Sequence, residues 1–283
     1  MADHQKTILI TGCSSGIGLC CAKTVRQRGW RVFATARKAE DVIQLQRQGL
    51  ESLPLDLDQS DSIHAALEQV LQQTGGRLDA LFNNGAYGQP GAVEDLSRET
   101  LRSQFETNLF GTTELINAVI PVMRRQGHGR IIQNSSVLGF VVMPYRGAYN
   151  ASKFALEGLT DTLRLELKGS GIHLSLIQPG PIESRFRSNA YQAFKQNINP
   201  EQSPHRANYA LMEQRLKKPG PAAPFTLPAD AVARKLIHAL ESRRPKTRYP
   251  VTFPTHLFAI LKRLLPDRLL DSMLIKASGD GKR

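Results

Sequence analysis

The chain reads Thr11-Gly12-Cys13-Ser14-Ser15-Gly16-Ile17-Gly18 near its start. This stretch lies between an apolar run at residues 7–11, which fits a β-strand, and residues 17–28, whose apolar spacing fits a helix. Glycines let the backbone turn tightly and approach a phosphate closely, and the first turn of a helix offers free N–H groups and the positive end of its dipole. The stretch is therefore typical of a dinucleotide pyrophosphate site. We expect contacts to the dinucleotide from Gly12, Ser14, Ser15, Gly16, Ile17 and Gly18.

Short β-type runs alternate with helical stretches along the first two thirds of the chain. Strands that are joined by crossover helices run parallel, and a parallel sheet needs helices on both faces. The sequence therefore predicts an α/β protein with a doubly wound parallel sheet (a Rossmann fold), in a single domain with a C-terminal substrate-lid extension. We predict strands at residues 7–11, 31–36, 52–55, 78–82, 130–135 and 173–178, and helices at residues 17–28, 39–48 and 60–74.

No Ser/Gly-rich or Pro-rich linker divides the chain, so we expect one body with three parts. Residues 1–183 would form the dinucleotide-binding and catalytic core. Residues 184–227 are rich in Asn, Gln, Pro and Lys without clear periodicity, and we expect an irregular substrate loop there. Residues 228–283 would be C-terminal helices that complete the same domain.

The composition excludes several classes of protein. With 41% hydrophobic and 22% charged residues, the 283-residue chain fits an ordinary globular protein. Its apolar stretches are far shorter than the about 18 to 20 residues of a membrane-spanning helix, and its start lacks a signal-peptide core, so we expect a cytoplasmic protein. The net charge of +12 comes from dispersed cations without interleaved aromatic residues, so we expect no nucleic-acid binding. Cys13, Cys20 and Cys21 lack metal-ligand spacing, and we expect reduced, small apolar side chains and no metal site.

Two cations follow the second predicted strand, where the adenosine ribose of a bound dinucleotide lies. An acidic residue there would select NAD, but this chain has Arg37 and Lys38 and no carboxylate. A guanidinium offers paired donors to a 2′-phosphate, so we predict NADP(H), with a solvated charge pair as the alternative. After the third strand, Asp56 and the adjoining Leu57 would lie against the adenine, although a simple turn aspartate fits the sequence nearly as well.

Tyr149 and Lys153 lie four residues apart, so a helix that begins there puts both on one face. A nearby fixed cation lowers the pKa of a phenol from its ordinary value of about 10. Tyr149 would then exchange a proton with a substrate oxygen while a nicotinamide cofactor exchanges hydride. Taken alone, a surface helix pair is the alternative. Ser135 and Ser136 end the preceding strand, at the edge of the sheet where ligands bind, and this favours a catalytic site.

In their order, these motifs resemble the short-chain dehydrogenase/reductase family over residues 7–184. The resemblance implies that Tyr149 is the general acid/base and that Lys153 lowers its pKa and binds the nicotinamide ribose. It also implies that Ser136 holds the substrate carbonyl and that Asn108 holds a water linking the lysine to solvent.

Two departures from the family pattern concern the cofactor site. The chain reads Asn-Asn-Gly-Ala at residues 83–86 where the family usually has Asn-Asn-Ala-Gly, and Ser184 stands for the usual threonine. Gly and Ala are both small and Ser184 keeps a hydroxyl for the nicotinamide carboxamide, so we expect the site to survive. The resemblance assigns further cofactor contacts to Asn84, Gly85, Pro179, Gly180, Ile182 and Ser184.

Within the family the chain resembles bacterial NADP-dependent aldehyde reductases and, more distantly, hydroxysteroid and retinol dehydrogenases. We expect a homo-oligomer, a dimer or tetramer, that interconverts a small apolar aldehyde or ketone and an alcohol. A catalytically silent nucleotide-sensing protein and an epimerase or dehydratase that uses the same tyrosine are the alternatives. The intact Ser136, Tyr149 and Lys153 argue against a silent protein.

The C-terminal stretch at residues 256–276 is rich in apolar side chains, with Lys262, Arg263 and Arg268 between them and Pro266 as an interruption. This pattern predicts two amphipathic segments. We favour helices that cover the substrate cleft or make a subunit contact over association with a membrane surface.

Overall fold

The computed structural model describes residues 5–221 and 223–279. Its strands form a seven-stranded sheet in the order β3-β2-β1-β4-β5-β6-β7, and every neighbouring pair is parallel. The predicted doubly wound parallel sheet is confirmed. The order reverses between β1 and β4, which is where ligands bind in open α/β sheets. The strands are β1 (Thr7–Ile10), β2 (Arg31–Ala36), β3 (Glu51–Pro54), β4 (Ala80–Asn83), β5 (Gly129–Asn134), β6 (Ile172–Gln178) and β7 (Arg248–Pro250).

Helices cover both faces of the sheet. Along β1, Ile8 and Ile10 pack into one apolar cluster with α1, α2 and α9, whereas Leu9 packs into a second cluster with α3 and α5. Successive side chains of a strand point to opposite faces, so a strand between two helical layers must be apolar throughout. The helices are α1 (Gly16–Gln27), α2 (Ala39–Arg47), α3 (Ser60–Gln73), α4 (Arg98–Phe105), α5 (Gly111–Gln126), α6 (Gly147–Glu166), α7 (Phe186–Asn197), α8 (Arg206–Lys217), α9 (Asp230–Glu241), α10 (Phe253–Leu264) and α11 (Asp267–Ala277).

Residues 184–227 are not irregular, and this part of the sequence prediction is wrong. The segment contains α7 and α8, which pack on each other and on the loop before α4 through one narrow apolar cluster. In α8 the buried members are Tyr209, Met212 and Leu216, which share a single helix face. Because neither helix packs on the sheet, the rest of each surface is polar and hides the helical periodicity. The role of the segment as a substrate loop stays a prediction.

The C-terminal residues form a short edge strand and two helices. The sequence prediction missed β7, which has only three residues and ends in Pro250, a residue that an edge strand tolerates. The two predicted amphipathic segments are confirmed as α10 and α11, separated at Leu265 and Pro266. Both helices pack against residues 137–143 beside Tyr149. Within the described residues, no helix has the length and hydropathy needed to cross a membrane.

Candidate active site

The turn from β1 into α1 is closely packed. Gly12 and Gly16 have positive φ values of 68° and 54°, which glycine adopts at little cost. A Cβ on Gly18 would lie 2.2 Å from the carbonyl oxygen of Gly12, so a side chain there does not fit. The side chain of Ser15, which precedes α1, makes no capping hydrogen bond. The N–H groups of the first turn of α1 are therefore not capped by this hydroxyl, as an anion site requires.

Asn84 joins the ends of three strands. Its Nδ2 donates to the carbonyl oxygens of Thr11 and Gly12 at 3.0 and 3.1 Å, and its Oδ1 accepts from Asn134 Nδ2 at 2.9 Å. The Thr11 hydroxyl accepts from the backbone N–H groups of Asn84 and Gly85 at 2.9 and 2.8 Å. A Cβ on Gly12 would lie 2.7 Å from the Cα of Gly85, so the glycine loop rests directly on this floor.

At the far end of the cleft, Arg37 and Lys38 follow β2 and are exposed. Neither side chain has a salt bridge or a hydrogen bond among residues 5–221 and 223–279. Asp56 accepts from the backbone N–H of Asp58 at 3.1 Å, which is the turn role that the sequence left open. Its adenine contact and that of Leu57, which packs against Gly85, stay predictions.

Helix α6 brings the predicted catalytic residues to the end of β5. Lys153 Nζ lies 5.8 Å from the centre of the Tyr149 ring and donates to the carbonyl oxygen of Asn134 at 2.8 Å. Ser136 lies two residues after the end of β5, and its hydroxyl acts on the Tyr149 phenol as a hydrogen-bonding group that lowers its pKa. It also accepts from the N–H of Leu138 at 3.0 Å. Ser136, Tyr149 and Lys153 are thus brought together, as the sequence predicts.

Burial is the largest influence on the pKa values of Tyr149 and Lys153. It raises the pKa of Tyr149 to about 12, although the hydrogen bond from Ser136 and the charge of Arg146 both act to lower it. Burial lowers the pKa of Lys153 to about 8, and the charge of Glu157 acts in the opposite direction. Lys153 directs its ammonium at a backbone carbonyl, so its expected lowering of the pKa of Tyr149 stays a prediction.

Asn108 lies in a π-helical turn, Glu106–Phe110, between α4 and α5. Such turns often occur at functional sites. Its buried side chain accepts from the N–H of Tyr87 at 3.1 Å and donates to the carbonyl oxygen of Tyr87 and to Ser152 Oγ, at 2.9 and 3.1 Å. Asn108 therefore fixes the loop after β4 against α6, and its role in holding a water stays a prediction.

Residues 179–184 run from β6 to the opposite side of the glycine loop. Gly180 packs against Thr252, whose Oγ1 would lie 2.0 Å from an added Cβ. Ile182 pairs with Leu227 in an isolated parallel bridge, which joins the two ends of the segment that carries α7 and α8. The Cβ of Ser184 lies 2.8 Å from the position of a Cβ on Gly16. Ser184 thus borders the glycine loop, and the cofactor contacts expected of Pro179, Gly180, Ile182 and Ser184 stay predictions.

Two residues lie at this site to which the sequence assigned no individual role, although it placed residues 141–146 and the segment after Ser184 in the substrate pocket. Phe186, the first residue of α7, packs edge-on to Tyr149 with 5.2 Å between ring centres. A Cβ on Gly88 would lie 2.7 Å from the Cζ of Phe186, so the ring is held between the loop after β4 and the phenol. Arg146 precedes α6, and one of its guanidinium nitrogens lies 3.2 Å from Met143 Sδ. The one signal for Phe186 was its position shortly after Ser184.

The cysteines are free, and Cys13 and Cys21 are buried. Burial raises the pKa of Cys13 to about 12, so this thiol stays protonated and behaves as an apolar side chain. Among the described residues, no group of three or more His, Cys, Asp or Glu side chains could hold a metal ion.

Comparison with known proteins gives a consistent result. The family model described as short chain dehydrogenase matches residues 6–194. The chain is 43% identical over 270 residues to the uncharacterized oxidoreductase YbbO of Escherichia coli (strain K12), which covers 95% of this chain and 94% of that protein. It is 30% identical over 277 residues to the NADPH-dependent 3-dehydrocapnine reductase of Ornithobacterium rhinotracheale, covering 95% of each.

A solved structure of a short chain dehydrogenase/reductase from Burkholderia phymatum, in complex with NAD, aligns with a TM-score of 0.74 at 26% identity and covers 93% of each chain. Its sheet and helices therefore follow the same path as those described above. The family model spans the glycine loop, the end of β5 and the start of α6, which are the elements that build this site. The chain accordingly belongs to the short-chain dehydrogenase family and is an oxidoreductase.

Proposed function

We propose that this oxidoreductase uses NADP(H) to interconvert an aldehyde or ketone and the corresponding alcohol, with Tyr149 as the general acid/base. One observation carries the proposal: Ser136, Tyr149 and Lys153 lie together at the carboxyl end of β5, next to the glycine loop. A hydroxyl, a phenol and a cation at a nucleotide crevice are the groups that carbonyl reduction needs.

The residues around the glycine loop fit a dinucleotide. The positions of Gly12 and Gly18 leave no room for a Cβ, and the start of α1 has no side-chain cap. Such a cradle matches a pyrophosphate. When bound, the nicotinamide cofactor supplies or accepts the hydride. Lys153 would hold its ribose, and Asn84, Gly180 and Ser184 would border its nicotinamide half.

The protonation state of Tyr149 favours reduction. With a pKa of about 12, its phenol carries its proton at neutral pH and is ready to donate it to the oxygen of a carbonyl substrate. Ser136 donates a hydrogen bond to the same oxygen and positions it. After transfer, the phenolate is stabilised by the Ser136 hydroxyl and by the charge of Arg146. The ammonium of Lys153, 5.8 Å from the centre of the ring, would add to this. Lys153 can serve as this cation because its own pKa of about 8 leaves it mostly protonated at pH 7.

The preference for NADP(H) rests on Arg37 and Lys38. Both are exposed at the end of β2 where a carboxylate would select NAD. Since neither has a hydrogen-bonded partner in the described residues, both are available to a 2′-phosphate. One relative that spans nearly the whole chain is named as NADPH-dependent, which supports this assignment.

An apolar substrate fits the wall of the cleft. The cluster that includes Tyr149 contains Val137, Leu138 and Val141, with Phe258 of α10 behind them. Apolar surface of this kind stabilises a ligand mainly by removing apolar surface from water. The cytoplasmic location and the homo-oligomer expected from the sequence belong to the same proposal, and the mass of the protein in solution tests the second.

The test follows the absorbance of NADPH and NADH against a panel of aldehydes, ketosteroids and retinal, for the unmodified protein and for Tyr149→Phe. We expect turnover with NADPH and a loss of about 10² to 10⁴ in the variant, which still binds NADPH. Equal efficiency with both cofactors would contradict the NADP(H) assignment. NADPH binding without turnover of any substrate would indicate a silent nucleotide-binding protein instead.

A further inference from the structure

Helix α10 has two apolar faces. On the inner face, Thr255 and Phe258 are buried, and Phe258 and Leu261 pack against residues 137–143. This face accounts for the docking of the helix on the wall of the cleft. A helix at the surface of a protein normally presents polar residues on its other side.

The outer face of α10 is apolar as well. Phe253, Leu257, Ile260 and Leu264 follow one another at spacings of four, three and four residues, so they lie on one side of the helix. Leu264 is 73% exposed, Phe253 59% and Ile260 58%. These four residues, which we call the outer stripe, form a continuous apolar ridge in contact with solvent.

Phe225 extends the outer stripe from a different part of the chain. Its ring centre lies 5.2 Å from that of Phe253, and 58% of the residue is exposed. It has a φ of 58°, a left-handed conformation that costs a bulky residue free energy. A strained backbone conformation therefore holds an exposed aromatic ring beside the outer stripe. A partner that buries this ring would account for the arrangement.

Helix α10 carries cations and no carboxylate. No Asp or Glu occurs between Glu241 and Asp267, whereas α10 ends in Lys262 and Arg263. Lys262 donates to the carbonyl oxygen of Phe140 and so ties the helix to the cleft wall. The side chain of Arg263 is exposed and has no salt bridge within the described part of the chain.

Two kinds of occupant fit an exposed apolar ridge: a second copy of this chain or a lipid surface. In a contact between two copies through α10, neither helix would offer a carboxylate to the Lys262 and Arg263 of the other, because residues 253–264 contain none. A convex helix with aromatic and aliphatic side chains on one face and cations at its end suits the boundary between anionic headgroups and acyl chains.

We propose that α10 lies in the headgroup region of a bilayer that contains anionic phospholipids, with the outer stripe and Phe225 inserted. The inner face of the same helix forms part of the wall beside Tyr149, so the cleft would open next to the bilayer surface. Binding to the bilayer depends on this apolar surface and on the cations of α10, and not on the proposed reaction.

The experiment sediments the full chain with vesicles of phosphatidylcholine alone and with vesicles that contain about one third phosphatidylglycerol. We expect binding to the anionic vesicles that weakens as salt shortens the Debye length from about 30 Å at 0.01 M to about 8 Å at 0.15 M. Ile260→Asp and Leu264→Asp should each lower vesicle binding about tenfold or more, because each removes an inserted side chain and adds a repelled carboxylate.

Ile43→Asp is the matched control. Ile43 is 46% exposed on α2, which connects the strands at the opposite edge of the sheet from β7, and its variant should bind vesicles like the unmodified protein. NADPH binding and the unfolding midpoint show that each variant is folded. Failure of the unmodified protein to bind anionic vesicles would overturn the proposal, as would equal losses in Ile260→Asp and Ile43→Asp. A smaller oligomer in Ile260→Asp without vesicle binding by the unmodified protein would identify the stripe as a subunit contact.

Discussion

Glu157 influences the pKa of Lys153, although it is not a predicted catalytic residue. It lies one turn further along α6, with Oε1 accepting from Gln178 Nε2 at 2.9 Å and Oε2 3.0 Å from Arg248. Its charge raises the pKa of Lys153, which burial lowers to about 8. Glu157→Gln keeps the shape of the side chain and removes that charge. We therefore expect the pKa of Lys153 to fall further.

The size of the fall follows from the helix geometry. Side chains four residues apart are about 6 Å from each other, and two unit charges at that distance interact by about 3 kcal/mol at an effective dielectric constant of about 20, or about two pKa units. Arg248 on the other side of the carboxylate offsets part of this attraction, which leaves about one unit. At pH 7 the protonated fraction of Lys153 would then fall from about nine tenths to about one half.

The assay is the pH dependence of kcat/KM for carbonyl reduction, together with NADPH binding followed by fluorescence. Because the site needs the Lys153 ammonium, we expect the alkaline limb of both profiles to move down by about one pH unit in Glu157→Gln. Asp161→Asn is the control, since Asp161 pairs with the same Arg248, whereas Glu157 is the charge that raises the pKa of Lys153. Alkaline limbs that coincide for Glu157→Gln and the unmodified protein would refute the reasoning.

Three further predictions test the nucleotide loop, the ribose end and the buried cation. Arg37→Asp should raise the KM for NADPH by about tenfold or more with little change in the KM for NADH, because a carboxylate repels a 2′-phosphate. Steady-state measurement of kcat/KM with each cofactor tests this prediction. Gly18→Ala should weaken NADPH binding by about tenfold or more, because the added Cβ would lie 2.2 Å from the carbonyl oxygen of Gly12. Gly158→Ala is the control and should bind NADPH normally, because its added Cβ would have no neighbour within 4 Å. Burial lowers the pKa of Lys153 from 10.5 to about 8, so the folded chain binds fewer protons than the unfolded chain between these pH values and its free energy of unfolding rises with pH there. Lys153→Met should lack this rise, which urea unfolding at several pH values in that window checks.

The parts of the molecule that sequence predicted well depend on local patterns. The bounds of β2 are Arg31–Ala36 as predicted. Helices α2 and α3 each end one residue earlier than predicted, and α1 begins and ends one residue earlier. Tyr149 and Lys153 share a helix face because their spacing alone decides it. The same holds for the glycine loop, where a positive φ and close approach leave only glycine.

The parts that sequence missed depend on contacts between distant segments. Phe186 reaches Tyr149 only because α7 folds back over the loop after β4, and no pattern near Phe186 encodes that return. The irregular appearance of residues 184–227 has the same origin, since α7 and α8 bury one narrow stripe and leave the remainder polar.

The pKa of Tyr149 shows why the chemistry is harder to predict than the positions. A helix with a lysine one turn from a tyrosine suggests a lowered phenol pKa, yet burial of the ring raises it to about 12. The residues packed around the ring are Phe186 of α7 and the cluster of α10, α11 and residues 137–143, none of which lies in the motif. The spacing therefore fixes which groups meet, whereas the surrounding apolar surface decides which of them holds the proton. In the proposed reaction, a phenol that keeps its proton at neutral pH, beside a lysine that stays mostly protonated below about pH 8, supports donation of a proton to a carbonyl oxygen.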